Sequence, residues 1–372
     1  MMKLIIERAD LLRALNHVQS VVERRNTIPI LSNVLISARE GRIGFTATDL
    51  DIEIVEEVDA NVEQEGSLTA PAHTFYDIVR KLPEGAEVEL VKTAEDPRLQ
   101  VNAGRSRFSL PTLPEDEFPV LKADNLSHNF TMHSTDLVKL IDKTRFAVST
   151  EETRYYLNGI HMHALDGEAP RLRAVATDGH RLALAEIDLP EGAAGMSGII
   201  VPRKTVQEVR RLLDGVDEDV QIAVSDTKIR FGIGSATLTS KLIDGSFPEY
   251  ERVIPRGNES TLKIDTGIFA AAVDRVATIS AEKSRSVKMT LEADTLTLTV
   301  NNPESGQAVE EISVDYGDEP LEIGFNARYL LDILGQIETD EAVFRFADSA
   351  APSLVEDDGE TGALYVLMPL RV

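Results

Sequence analysis

An α+β fold repeated three times, with short antiparallel strands outnumbering helices, is what this sequence predicts. Three observations predict it. Two amphipathic helix patterns recur along the chain in three copies. Period-2 apolar alternation fills the stretches between them, and tight turns rather than crossover helices join those stretches. The first-helix patterns begin 126 and then about 131 residues apart, a domain-sized period far longer than a solenoid repeat of ~20–50 residues. The 372 residues therefore divide near 1–126, 127–255 and 256–372. Each copy reads roughly β-α-β-β-β-α-β-β-β.

Taken in order, the first helix spans 10–25, opened by Asp10-Leu11-Leu12-Arg13-Ala14-Leu15. Glu40-Gly41 is a turn, and Arg42–Thr48 alternates as a half-buried strand. Phe75–Leu82 gives the second helix, over 73–82. In the next copy Asp136–Ile141 opens a helix over 136–149, Asp166-Gly167 is a turn, and Val206–Leu213 gives a helix over 203–213. Asp214-Gly215 then leads into the strand Val220–Val224, and Asp244-Gly245 is a further turn. In the third copy Gly267–Val273 gives 267–278, Thr295–Val300 is a strand, and Tyr329–Leu334 gives 326–337. Ala47-Thr48-Asp49 recurs as Ala176-Thr177-Asp178, and Phe118-Pro119 as Phe247-Pro248, each 129 residues on. Polar, turn-rich linkers fall at Leu121–Ser127 and Pro255–Ser260.

Composition narrows the function classes. Hydrophobic content of 42% suffices for a core in each copy, and no apolar run reaches a bilayer-spanning length. The Met1–Glu7 start is too short and too charged for a signal peptide, so the cytoplasm is the expected compartment. Zero cysteines exclude disulfides, thiolate catalysis and Cys-ligated zinc. A net charge of −25 argues against nucleic acid as a sum, but its distribution is uneven. The six helix segments hold fourteen Lys/Arg against eight Asp/Glu, a net of +6, which leaves −31 elsewhere. Amphipathic helices carry Lys and Arg on their solvated face in any case, so this count alone does not choose a partner.

Catalytic signatures are missing. Gly232-Ile233-Gly234 lacks the third glycine of a phosphate cradle and reads as strand. His161 and His163 share a strand face, but no third ligand stands at a telling spacing. Asp178 and His180 have no serine on a strained elbow to work with. No catalytic residue, metal or cofactor is expected. Arg154-Tyr155-Tyr156 sets a cation beside paired aromatics, which suits phosphate and base contacts or an ordinary cross-strand aromatic pair. The apolar end Tyr365–Val372 is a last strand, a docking surface, or both.

Together these motifs resemble a known family over the whole chain. They are Arg154–Gly159, Ala176–Leu182, Val201-Pro202-Arg203-Lys204, Ser240–Gly245 with Phe247-Pro248, Asn301–Glu304 and Met368–Arg371. In this order they are similar to the bacterial sliding clamps, the beta subunit of DNA polymerase III. The resemblance implies three clamp domains, two chains joined head to tail as a homodimeric ring, and duplex DNA in its hole. It implies DNA contacts at Arg25, Tyr155 and Tyr156, with Lys204 and Arg210 as further helix cations. It implies a dimer interface of Arg105, Arg107 and Phe108 against Ile279, Glu304, Glu310 and Glu311. A peptide groove would use Leu157, Thr177, Gly179, His180, Arg181, Leu182, Pro248, Arg252, Val253, Val366, Met368, Pro369, Leu370 and Arg371. The implied partners are the polymerase catalytic subunit, the clamp loader, and repair polymerases, ligase and mismatch repair factors, with no membrane. The chain departs from the family pattern at Gly306, Gln307, Pro352, Leu370 and Val372. The competing readings are an acidic scaffold that binds only proteins, and a hydrolase using Asp178 and His180.

Overall fold

The computed structural model describes residues 1–121, 126–280, 285–359 and 362–371; part of the first expected linker and Val372 lie outside them. It contains two compact units. One comprises Met1–Thr135, Pro190–Ala193 and Lys204–Leu242; the other comprises Asp136–Leu189, Ala194–Arg203 and Ile243–Val372. Each unit carries one eight-stranded sheet and one smaller sheet, and every strand pairing among the described residues is antiparallel.

The six helices of the described residues are α1 (Arg8–Val18), α2 (Ala72–Lys81), α3 (Ser134–Asp142), α4 (Arg203–Leu212), α5 (Thr266–Ala277) and α6 (Ala327–Leu334). Apolar spacing decides which face each buries. In α1 the buried stripe is Leu11, Ala14, Leu15 and Val18, the i, i+3, i+4, i+7 set. Asp265 and Asn326 cap α5 and α6, accepting from the Ile268 and Arg328 amides at 2.7 and 3.0 Å. The strands follow period 2. In Thr295–Asn302, Leu296, Leu298 and Val300 point inward and the threonines outward. Fully buried Phe45, Phe75 and Phe231 fill one unit, and Phe269, Phe325, Phe344 and Phe346 the other.

Two helices end well short of expectation, and α6 stops at Leu334 rather than residue 337. α1 stops at Val18 rather than residue 25, because the Ser20 hydroxyl takes the His17 carbonyl at 2.9 Å and Val21 and Val22 turn inward to be buried. α3 stops at Asp142 rather than 149, because the Thr144 hydroxyl bonds back to the Leu140 carbonyl at 2.6 Å and Lys143 turns inward. With these limits the helices hold eleven Lys/Arg and seven Asp/Glu, a net of +4 rather than +6. A fourth strand precedes the second helix of each copy: Gly66–Pro71, Ile199–Pro202 and Leu321–Asn326. The first copy adds a fifth, Asn61–Gln64. These runs are too short to display alternation, and two end in proline.

The recurring Ala-Thr-Asp triplet builds the same turn twice. Asp49 Oδ1 accepts from the Asp51 and Ile52 amides at 2.9 and 2.7 Å; Asp178 Oδ1 accepts from those of His180 and Arg181 at 2.9 and 3.0 Å. Each turn needs one left-handed residue: Gly179 at φ +87° in one, Leu50 at φ +80° in the other. The strand after each turn then pairs with a strand of the following copy. Ile52–Asp59 joins Ala236–Lys241, with Ile54 opposite Leu238, and Arg181–Asp188 joins Ala363–Leu367, with Leu182 opposite Val366. A β-carbon in the left-handed region costs roughly 1–2 kcal/mol, partly offset by the backbone freedom a glycine must give up. Leu50→Gly should therefore raise unfolding free energy by about 0.5–1 kcal/mol. A loss of stability on denaturant titration would show that Leu50 packing outweighs its backbone strain.

Candidate functional site

A cleft of about 290 Å³ lies in the second unit. Four pieces of chain meet there: the turn Thr177–Arg181 with the strand after it, the 3₁₀ segment Glu152–Leu157, the segment from Pro248 to Val253, and the strand Ala363–Leu367 running into Met368. Leu157, Leu182 and Val366 are buried in its walls, while Val253 and Met368 stand 50% and 39% exposed at its rim. Sheet alternation sets the floor, since Leu182 and Val366 are opposite one another and face the same side. Arg154 closes one end against Gly179, where a Cβ would fall 2.6 Å from its Nη1. That guanidinium donates to Glu151 at 2.8 Å, and the bond holds the Glu151 carboxyl below the usual carboxylate range. An apolar well with a few charges at its rim suits apolar side chains from an extended segment.

Nine of the fourteen expected groove residues line this cleft: Leu157, Thr177, Gly179, Arg181, Leu182, Pro248, Val253, Val366 and Met368. Arg181 serves the fold as well. It is 8% exposed, donates to Asp178, Asp332 and the Phe146 carbonyl, and lies 4.3 Å from the Tyr329 ring centroid. The remaining five stand outside the lining. His180 is exposed and stacked on Tyr329, and Arg252 pairs with Glu249. Pro369 and Leu370 are half-buried, with the Leu370 amide donating to the Gly324 carbonyl at 2.8 Å, and Arg371 is exposed. The lining also includes Arg154, Tyr156, Glu249 and Tyr250. Arg154 and Tyr156 belong to the cation–aromatic motif that the sequence linked to DNA; the signal for Tyr250 is its place two residues after the repeated Phe-Pro.

The expected DNA-binding residues fall on both units. Arg25, Lys204 and Arg210 belong to the first; Tyr155 and Tyr156 belong to the second, set edge to face at 5.8 Å with Tyr155 54% exposed. Arg25 is exposed on a bend after α1 rather than in a helix. On α4 the side chains separate by face. Arg203 and Gln207 are exposed, and Arg210 one turn on is half-buried. Lys204 pairs with Asp49 and, at 3.4 Å, with Glu23. Burial opposes the Lys204 charge, yet these partners hold its pKa above the usual lysine value. Arg211 on the same face donates to the Asn16 carbonyl at 2.8 Å and to that of His17 at 2.6 Å. Lys204 is thus engaged by carboxylates from the first copy.

The expected dimer residues sit at sheet edges. Arg107 and Phe108 lie on Ser106–Leu110, an outermost strand of the five-stranded sheet, with Arg105 in the turn before it. Glu310 and Glu311 lie on Gly306–Ser313, an outermost strand of the four-stranded sheet, with Glu304 in the turn before it and Ile279 just past α5. Glu310 is held within the chain by Arg275, at 3.1 Å to its Nε, and that bond keeps its carboxyl below the usual range. Val309, 56% exposed on the same strand, escaped the sequence reading. An outermost strand offers free backbone donors and acceptors to a second chain.

The other candidates resolve into structural roles. The Asp178 carboxylate is engaged by two turn amides and Arg181. His161 and His163 stack at 5.0 Å, with one nitrogen on the Ile199 carbonyl and another on the Tyr250 hydroxyl. No cluster of three metal-ligating side chains occurs among the described residues, and no helix there is long and apolar enough to cross a membrane.

Three strand-rich copies with this sheet pairing and this cleft define a DNA clamp fold. Models of the DNA polymerase III beta subunit match in succession: the N-terminal domain at residues 2–122, the central domain at 131–249 and the C-terminal domain at 251–371. The chain is 62% identical over 372 residues to the beta sliding clamp of Caulobacter vibrioides, and 41% identical to that of Pseudomonas aeruginosa, with full coverage of each. A crystal structure of the Caulobacter crescentus clamp superposes with a TM-score of 0.97 at 62% identity, covering all of this chain and 99% of that one. One from Bartonella birtlesii, bound to griselimycin, superposes at 0.97 with 49% identity and full coverage of both. The chain belongs to the DNA polymerase III beta subunit family. It is a sliding clamp, a processivity factor rather than an enzyme.

Proposed function

We propose that two copies of this chain close head to tail into a ring that encircles duplex DNA and tethers the replicative polymerase through the cleft of the second unit. Three clamp domains, 1–126, 127–255 and 256–372, would make each half-ring. The edge strands Ser106–Leu110 and Gly306–Ser313 would pair between chains, with Arg105, Arg107 and Phe108 meeting Ile279, Glu304 and Glu311. DNA would be held loosely by Arg25, Tyr155, Tyr156 and the Arg203 and Arg210 face of α4. Phosphate contacts carry no sequence information, so they permit sliding. Lys204 would contribute chiefly by fixing α4. The cleft would take short apolar segments of the polymerase catalytic subunit, the clamp loader and repair proteins including ligase and mismatch factors, all in the cytoplasm, and griselimycin as the Bartonella relative does.

The observation that carries the tethering reading is the apolar well bounded by Leu157, Leu182, Val366 and Met368. Met368→Ala should weaken a polymerase-derived peptide roughly tenfold, the loss of about 1.4 kcal/mol of apolar contact at the rim, with the sedimentation mass unchanged at twice the chain mass. Unaltered peptide affinity would remove the cleft from the tether, and a monomeric mass would favour a protein-only scaffold over a ring.

A further inference from the structure

Tyr250, a wall of the cleft, is held from behind by a chain of hydrogen bonds with a fixed direction. Arg173 Nη1 lies 3.0 Å from the Tyr250 hydroxyl oxygen, and His163 Nε2 lies 2.8 Å from the same oxygen. An arginine only donates, so the hydroxyl oxygen accepts from Arg173; a carbonyl only accepts, so in neutral His163 the ring's single proton sits on Nδ1, 3.3 Å from the Ala164 carbonyl. Nε2 is then the acceptor, and the Tyr250 hydroxyl donates its proton to it. His163 also stacks on His161, and His161 on Phe247 at 4.7 Å with the rings 7° apart. Gly198 makes room for that stack, since a Cβ there would fall 2.6 Å from the His161 ring. Phe247 and Tyr250 flank Pro248 and Glu249 on the segment that forms one side of the cleft.

Resting on the tethering reading above, we infer that neutral His163 is a positioning residue for the cleft, and that taking a proton there releases Tyr250 and weakens the binding of apolar peptides. A protonated His163 sets a second donor against a hydroxyl already facing Arg173, and a second cation beside that guanidinium. The groups around it are few. Arg173 is held by Glu186 at 2.9 Å and Glu251 at 3.3 Å, and His161 and Tyr250 complete the set. Burial lowers the His163 pKa, the Ala164 carbonyl opposes that, and Arg173 adds to it; burial carries His161 down to about 4. A lowered histidine pKa means that the neutral arrangement is intact above the ordinary histidine range near 6.5 and is lost as pH falls through the lowered value.

Griselimycin and a polymerase-derived peptide serve as probes, titrated on the intact dimer from about pH 7.5 to about pH 4, so that the range extends well below the ordinary histidine value. Affinity for both should fall about fivefold across that range, the effect of one lost hydrogen bond. His163→Gln keeps an acceptor but takes no proton, so it should bind with a flat profile; Tyr250→Phe should also lose the step. A flat wild-type profile overturns the inference. So does a step that survives in His163→Gln, which would assign it to another group such as exposed His180. Imidazole nitrogen NMR of the unliganded protein gives a second reading, and a proton on Nε2 of His163 at neutral pH would overturn it directly. Failure of both probes to bind at neutral pH sinks the cleft reading itself, whereas binding without the step sinks only this one.

Discussion

Loaded onto a nicked circular duplex with a bacterial clamp loader as the reagent, the protein should remain with the DNA through gel filtration, and a single cut that linearises the circle should release nearly all of it. The reason is the weakness of the contacts. Non-specific phosphate binding has dissociation constants of roughly 10⁻⁶–10⁻⁴ M at physiological salt. At nanomolar protein such contacts hold under about 1% of the DNA occupied, so retention on a circle must come from closure around it. The charge balance agrees with this weakness. The helices carry a net of only +4 on a chain of −25, and Lys204 is already paired with Asp49 and Glu23. An acidic surface repels DNA and leaves a low local field wherever cations are exposed. Raising salt should speed loss from linear DNA and barely affect the circle. Equal retention on both forms would overturn the ring.

The second large effect is expected at Arg181. Its side chain is 8% exposed and meets two carboxylates, a carbonyl and two aromatic rings: Asp178 at 3.1 Å, Asp332, the Phe146 carbonyl at 2.6 Å, and the Phe146 and Tyr329 rings at 5.1 and 4.3 Å. Arg181→Ala leaves partly desolvated carboxylates without their cation and should cost about 3–5 kcal/mol of unfolding free energy. Arg181→Lys should recover only part of that, because one ammonium cannot reproduce a planar fork that stacks and donates in several directions. The same substitution should weaken peptide binding, since Arg181 also lines the cleft beside Leu182. A change below about 1 kcal/mol would mean that the network adds little, as exposed ion pairs do.

Much of this was legible in order along the chain. The Ala-Thr-Asp triplet reads as a turn because one carboxylate can take two amides two and three residues on, a contact local in sequence. The apolar stripe of α1 and the alternation of Thr295–Asn302 likewise follow from local periodicity. What failed locally did so for non-local reasons. α1 ends early because Val21 and Val22 are drawn into a core, and Lys204, read as a phosphate contact, finds Asp49 across 155 positions. The groove was half legible. Leu182 and Val366 stand on recognisable motifs, but Tyr250 packs against them only once the chain has folded, held there by His163 and Arg173, 87 and 77 positions away.

By itself, then, the sequence determined the threefold repeat, the antiparallel α+β architecture and the family, because periodicity, turn chemistry and ordered motifs are properties of neighbours along the chain. The tertiary structure decided which charges are already paired, which side chains face the cleft and which histidine must stay neutral. Those depend on strand pairings such as Leu182 with Val366, formed between segments more than a hundred residues apart. Hydrogen-bond direction and burial exist only after such segments have met.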